Sequence, residues 1–321
     1  MEPGCPDGCP CPSYECPNHD DEAILVLNSG YSQNRPAILL STSQESYHQL
    51  NFTFTEATST FASCSVIFNN QFFIYGGSNS DTKRQISHVT NCHLQRIGSL
   101  PFDLDYGTCT TNQNYVIWCF DYDATKSCWK STSPTSDWES VQQSNVDHRK
   151  IRISASQGEL LYSNSDYTDC MIQIIYLGAV LAVGNAKNSH SDTELLSLSS
   201  WSWSVKSPYP FSSKVYSAPT LFLADHFWIF GGLDGKGGSQ IARFDPIADL
   251  WTDFGRLASG RDGHNAIFTQ EGFLIIGGNG NKPTEKCTFD DSGVFCSVQA
   301  PYLTDYVSYP ELFLTKNDYC I

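Results

Sequence analysis

Cysteine is the residue through which this sequence is best equipped for chemistry: the 321-residue chain carries 13 Cys and only two Met. Four of them open the chain as Cys5-x3-Cys9-x-Cys11-x4-Cys16, interleaved with Pro6, Pro10, Pro12 and Pro17. A zinc site would need paired C-x2-C knuckles or a histidine at the usual spacing, and the sequence has neither, so the tract reads as disulfide-stapled. Cys287 and Cys296 flank Asp290-Asp291-Ser292-Gly293, where a two-residue turn at Asp291-Ser292 sets the thiols opposite each other across a hairpin. Cys109, Cys119 and Cys128 fall on three successive expected strands, and Cys119 can pair with either neighbour. An odd total leaves at least one thiol free or open to a disulfide-linked oligomer.

Other reactive constellations are missing from the sequence. There is no G-x-S-x-G elbow, no H-E-x-x-H, no complete D-x-D-x-D-G loop and no S-x-D-x-G-x-T-W box. Asp121-Tyr122-Asp123 and Leu233-Asp234-Gly235 are fragments of such patterns and read as acidic turns. Of the eight His, His148 and His264 fall at matching places in the repeat described below, where structural roles outweigh catalytic ones. No catalytic, metal-binding or cofactor-binding residue is assigned, and no cofactor is expected. Asn51-Phe52-Thr53 is a glycosylation sequon.

Charge and composition narrow the partners. Nineteen Lys and Arg against 34 Asp and Glu give a net charge of −15, the wrong sign for holding phosphates, so nucleic acid is excluded as a partner. The longest apolar stretch, Met171 to Gly184, is too short for a membrane helix and reads as two adjacent strands. The cysteine content points to an oxidising, extracellular address. The first 16 residues carry no apolar signal core, so export relies on a removed signal or an indirect route.

The elements that must position these residues are strands. Phe, Tyr and Trp number 19, 16 and 7, short apolar runs alternate with Ser, Thr, Asn and Asp, and no amphipathic helix stands out. An apolar run ending in Gly or a small substitute recurs at anchors 29, 76, 120, 184, 231 and 277, spaced by 47, 44, 64, 47 and 46. The double glycines Gly76-Gly77, Gly231-Gly232 and Gly277-Gly278 allow positive φ where a strand leaves its sheet. The long 120 to 184 interval reads as half a unit inserted around Ile153 to Tyr162. Residues 1–20 form the Cys/Pro-rich tract and 21–321 the repeat domain.

Residues 215 to 264 carry the fullest unit: Gly231-Gly232, then Phe244-Asp245-Pro246, then Trp251 seven positions after Phe244. This resembles the kelch repeat, and the resemblance extends over about residues 21 to 321. Leu40 and Tyr47 keep the same offset, while Phe289-Asp290 shortens it to Phe295. The resemblance implies an all-β, kelch-type β-propeller of six four-stranded blades, with a degenerate seven-bladed ring as the alternative. The first unit lacks its leading strand, and Tyr309 to Leu314 supplies one, so N- and C-terminal strands are expected to pair and close the ring. The function expected is a non-catalytic extracellular interaction or structural module with a protein or glycan partner and no membrane span. The alternative is a secreted propeller enzyme with a site in the central pocket, copper-oxidase-like or a hydrolase.

Overall fold

The computed structural model describes residues 22–27, 37–42, 46–54, 62–78, 80–112, 114–148, 153–155, 178–184, 192–211, 215, 217–232, 238–269, 272–280, 282–290, 293–299, 307–316 and 319. Among these there is no helix, so none long and apolar enough to cross a membrane. The first unit holds β1 (Glu22–Leu27), β2 (Ala37–Ser41) and β3 (Tyr47–Leu50), followed by the short β4 (Thr53–Phe54). The second comprises β5 (Cys64–Phe68), β6 (Gln71–Tyr75), β7 (Gln85–Thr90) and β8 (His93–Ser99); the third, β9 (Thr108–Thr111), β10 (Val116–Cys119), β11 (Cys128–Ser131) and β12 (Glu139–Val141). The fourth runs β13 (Ile153–Ala155), β14 (Ala179–Val183), β15 (Thr193–Ser197) and β16 (Ser202–Lys206). The fifth has β17 (Thr220–Leu223), β18 (His226–Gly232), β19 (Gly238–Asp245) and β20 (Leu250–Arg256), and the sixth β21 (His264–Thr269), β22 (Gly272–Gly277), β23 (Glu285–Asp290) and β24 (Gly293–Val298), before β25 (Glu311–Lys316).

Within each unit four strands pair antiparallel, consistent with propeller blades, and β4 adds to the second unit by pairing in parallel with β8. The fifth and sixth units merge into one eight-stranded sheet where β20 meets β24 in parallel. β25 pairs antiparallel with β1, from Glu22↔Lys316 to Leu27↔Glu311, and so becomes the leading strand of the first unit. It starts two residues later than the sequence suggests, because Pro310 has no N–H to give a ladder.

Each second strand is the apolar heart of its unit. β10, β14 and β22 are buried at every position, as are Ala23 to Leu27 of β1, because both sheet faces are covered. The fourth strands mostly face water: β8 buries Leu94, β16 buries Trp203 and β20 buries Trp251. Those buried residues oppose third-strand partners in the pairs Val89↔Leu94, Leu196↔Trp203 and Phe244↔Trp251, the last with ring centroids 4.8 Å apart. In the sixth unit Phe289 faces Val294 rather than Phe295, and Phe289 and Phe295 are 39% and 58% exposed, so the shortened pair does not fill an interior position.

Six apolar clusters each lie between two units, joining one to two, two to three and onward, with the last joining six to one. The leading strands touch in succession, β25 with β5, β5 with β9, β9 with β13, β13 with β17, β17 with β21, and β21 with β25. Within the long interval, Ile153–Ala155 is the fourth unit's leading strand, paired with Val180 to Ala182, so the extra length of chain falls between that unit's first and second strands. Residues 156–162 of the expected insertion, and 171–177 of the long apolar stretch, lie outside the described residues.

Candidate functional site

Two left-handed positions recur in the units and build one end of the assembly. The first lies at the end of the second strand: Gly76, Phe120, Gly184, Gly231 and Gly277 have φ of 72, 63, 91, 69 and 76°. A Cβ at Gly76, Gly184, Gly231 or Gly277 would meet the carbonyl oxygen of Leu104, Val215, Arg261 or Val307 at 2.2, 2.4, 2.8 or 2.5 Å. Each carbonyl belongs to the segment that leads into the next unit's first strand, so the glycines permit close passage of two backbones. Gly77, Gly232 and Gly278 follow at φ 147, 112 and 124°.

The second position lies in those lead-in segments, two residues after the carbonyl just named. It holds Tyr106, Ser217, Gly263 and Tyr309 at φ 52, 50, 63 and 50°, with Ala62 at φ 62° in the matching place before β5. Left-handed backbone costs a side-chain-bearing residue on the order of 1 kcal/mol, so tyrosine here is an outlier to be explained by its surroundings. Successive lead-ins hold one another: Tyr309 N–H donates to Gly263 O at 2.6 Å, and Gly263 N–H to Ser217 O at 3.2 Å. A Cβ on Gly263 would come within 2.9 Å of the Tyr309 ring, so that ring lies directly on the glycine.

Three half-buried tyrosines gather there. Tyr106 lies 6.3 Å from Tyr309, edge to face, and 6.2 Å from Tyr122. The Ser217 and Tyr309 hydroxyls are 3.5 Å apart. Asp121 carboxylate oxygens accept the backbone N–H groups of Asp105 and Asp123, at 2.6 and 3.0 Å, and Tyr122 N–H donates to Asp105 O at 2.9 Å. Asp121-Tyr122-Asp123 is thus an acidic turn whose tyrosine joins the cluster. Lys83 Nζ sits 3.3 Å from Asp105, and Asn279 Nδ2 donates to Asp262 at 2.7 Å.

Beneath this layer, two fully buried carboxylates clamp lead-in segments. Glu194 of β15 accepts the N–H groups of Asn145 and Val146 at 3.0 and 3.2 Å and lies 3.0 Å from His148 Nε2. Glu285 of β23 accepts the N–H groups of Ala258 and Ser259 at 2.7 and 2.9 Å and pairs with Arg261. Burial opposes ionisation of Glu194, but donors from His148, Asn145 and Val146 outweigh it and hold its carboxyl below the usual range. The position matching His148 is therefore Arg261 and not His264, which corrects the sequence alignment of the two histidines. The alignment failed because a short Asp-His similarity ignored which residue faces the third-strand acid.

The cysteines divide among units. Cys287–Cys296 and Cys119–Cys128 bridge directly opposed residues in one sheet, with Cα separations of 4.0 and 4.1 Å. Cys109 bonds Cys64, joining β9 to β5 of the preceding unit with a Cα separation of 5.6 Å. Cys64 had no place in the sequence reading, although its 45-residue separation from Cys109 is about one repeat period. Cys92 is also disulfide-bonded. Cys5, Cys9, Cys11 and Cys16 lie outside the described residues. Glu285, Cys287 and Cys296 bring possible metal ligands within 4.8 Å, but the sulfurs are in a disulfide and the carboxylate holds Arg261.

Asn51 is exposed just before β4. Trp203 lies on β16, whereas Trp201 sits in the preceding turn at φ 54°, with Lys130 Nζ 4.2 Å above its ring, so the two indoles do not share a strand face. The lead-in tyrosines escaped sequence reading because the recurring feature is backbone conformation. Only the 46-residue steps from Ser217 to Gly263 to Tyr309 could have flagged them, since the side chains have nothing in common. No protein-family model matches the chain, and no curated protein matches it.

Proposed function

We propose that this chain is an extracellular, non-catalytic interaction module built on a six-bladed, kelch-type β-propeller whose first blade is completed by β25. The cyclic succession of leading strands and the six inter-unit clusters support the ring. The Phe244↔Trp251 and Leu196↔Trp203 pairs support the kelch assignment, and the disulfides support an oxidising address.

One observation carries the functional reading. The buried carboxylates Glu194 and Glu285 are engaged in joints between units with His148 and Arg261, while three half-buried tyrosines gather at one end of the units. Aromatic residues of that kind contribute much of the energy at recognition surfaces. The test is surface-plasmon binding of the purified full chain to a panel of secreted proteins, receptor ectodomains and glycans, with elemental analysis of the same preparation. Saturable binding to a member of the panel is expected. Stoichiometric metal with turnover of an oxidase or hydrolase substrate would transfer the chain to the enzymatic alternative.

A further inference from the structure

The tyrosine cluster has a chemistry that narrows its ligand. Tyr106, Tyr122 and Tyr309 belong to three chain segments, and all three residues are half-buried. The polar groups around them are mostly carboxylates: Asp105 and Asp121 bonded beside Tyr106 and Tyr122, exposed Asp123 in the same turn, and Asp262 next to the glycine under Tyr309. Lys83 is one cation at this rim, its ammonium held protonated by Asp105 first, with further attraction from Asp121 and Asp103; Lys282 is another, packed beside Gly278 as Asp262 is. A positive charge at this rim therefore meets several carboxylates at once, in a chain of net charge −15.

Aromatic faces beside carboxylates suit an ammonium or guanidinium group, which gains from the ring quadrupoles and from the anions together. Resting on the reading of the chain as an interaction module, we propose that the Tyr106–Tyr122–Tyr309 cluster receives a Lys or Arg side chain on an exposed segment of a partner protein. Asp123 supplies the open carboxylate. Tyr309, at φ 50°, is held by its N–H bond to Gly263 O, and Tyr106, at φ 52°, follows Asp105, whose N–H and carbonyl are bonded to Asp121 and Tyr122, so the rings are positioned before the ligand arrives.

Fluorescence anisotropy on the intact chain tests this with four labelled Gly/Ser octapeptides, carrying two Arg, two Lys, two Glu or no charge. The Arg and Lys peptides are expected to bind, and more weakly as salt rises. Tyr309→Ala, Tyr122→Ala and Asp123→Lys are each expected to weaken binding about tenfold, while Tyr309→Phe stays within about twofold because the aromatic face remains. Asp123 is exposed, so D123K keeps the test valid if an alanine variant fails to fold. Equal binding of the neutral or acidic peptide at the cluster would overturn the cation assignment and leave the module reading standing. Basic-peptide binding indifferent to all these variants would overturn the location. No binding by any peptide would also overturn the proposal, while the ectodomain and glycan panel decides the module reading separately.

Discussion

His148 and Arg261 hold the same place in two units: His148 Nδ1 lies 2.9 Å from Gly184 O, Arg261 donates to Gly277 O at 3.0 Å, and each also pairs with a buried third-strand glutamate. The joint between units is thus a carboxylate taking backbone donors from a lead-in segment and a nitrogen base from the same segment. Removing one member of such a buried pair costs about 3 to 5 kcal/mol, because the remaining charge is stranded. His148→Ala should lower the denaturation midpoint accordingly. His148→Arg, which copies the sister joint, should recover more than half of that loss. Equal midpoints for the two variants would separate the joints.

The acid limb of stability should depend on Glu194. Its folded carboxyl is held below the ordinary value of 4.5, so its contribution is present above that pH and is lost as pH falls through the depressed value. Thermal melts from pH 6 down to pH 3 should show the parent losing stability below about 4.5. Glu194→Gln starts lower and should decline less steeply over that window; parallel curves would remove Glu194 from the titration.

Of the described disulfides, Cys64–Cys109 should matter most. It closes a loop across 45 residues, against nine for each of Cys119–Cys128 and Cys287–Cys296. Loop-closure entropy gives about 4 kcal/mol for the long loop and about 3 for a short one. It also ties two sheets together, whereas the others bridge neighbouring strands of one sheet. Double Cys→Ala variants compared by calorimetry should rank in that order, and an intra-sheet pair costing more would show that native strain dominates.

Deleting residues 309–321 should act globally. β1 would lose the partner that satisfies its backbone from Glu22 to Leu27, and Phe72 would lose the stacked ring of Phe313, 4.7 Å away. The truncated chain is expected to aggregate or to melt more than 10 °C below the parent, a drop of the size produced by losing several kcal/mol. A monomeric truncation melting within a few degrees would mean that another segment completes the first sheet.

Much of the strand architecture was legible before any coordinates. The second strands declare themselves as apolar runs because both faces are covered, and a glycine marks most of their ends because two backbones pass there. Phe244 and Trp251 could be paired from spacing alone, since a tight hairpin converts a seven-residue offset into direct opposition. Cys287 and Cys296 were accessible for the same reason: a short turn makes register a local property.

What the sequence left open was everything fixed between units. Cys109 had a partner on its own sheet in prospect and took Cys64 of the preceding unit instead, because the lateral distance between leading strands is set by packing. His148 looked like His264 until Glu194 and Glu285 showed which lead-in residue meets an acid. Tyr106, Tyr122 and Tyr309 carry no common motif; Tyr106 and Tyr309 meet because left-handed lead-ins of different units converge at one end, and Tyr122 joins them from the turn after β10. Local hydrogen bonding writes strands and hairpins into the order of residues. Contacts between repeats depend on how the sheets twist and stack, which no short window of sequence contains.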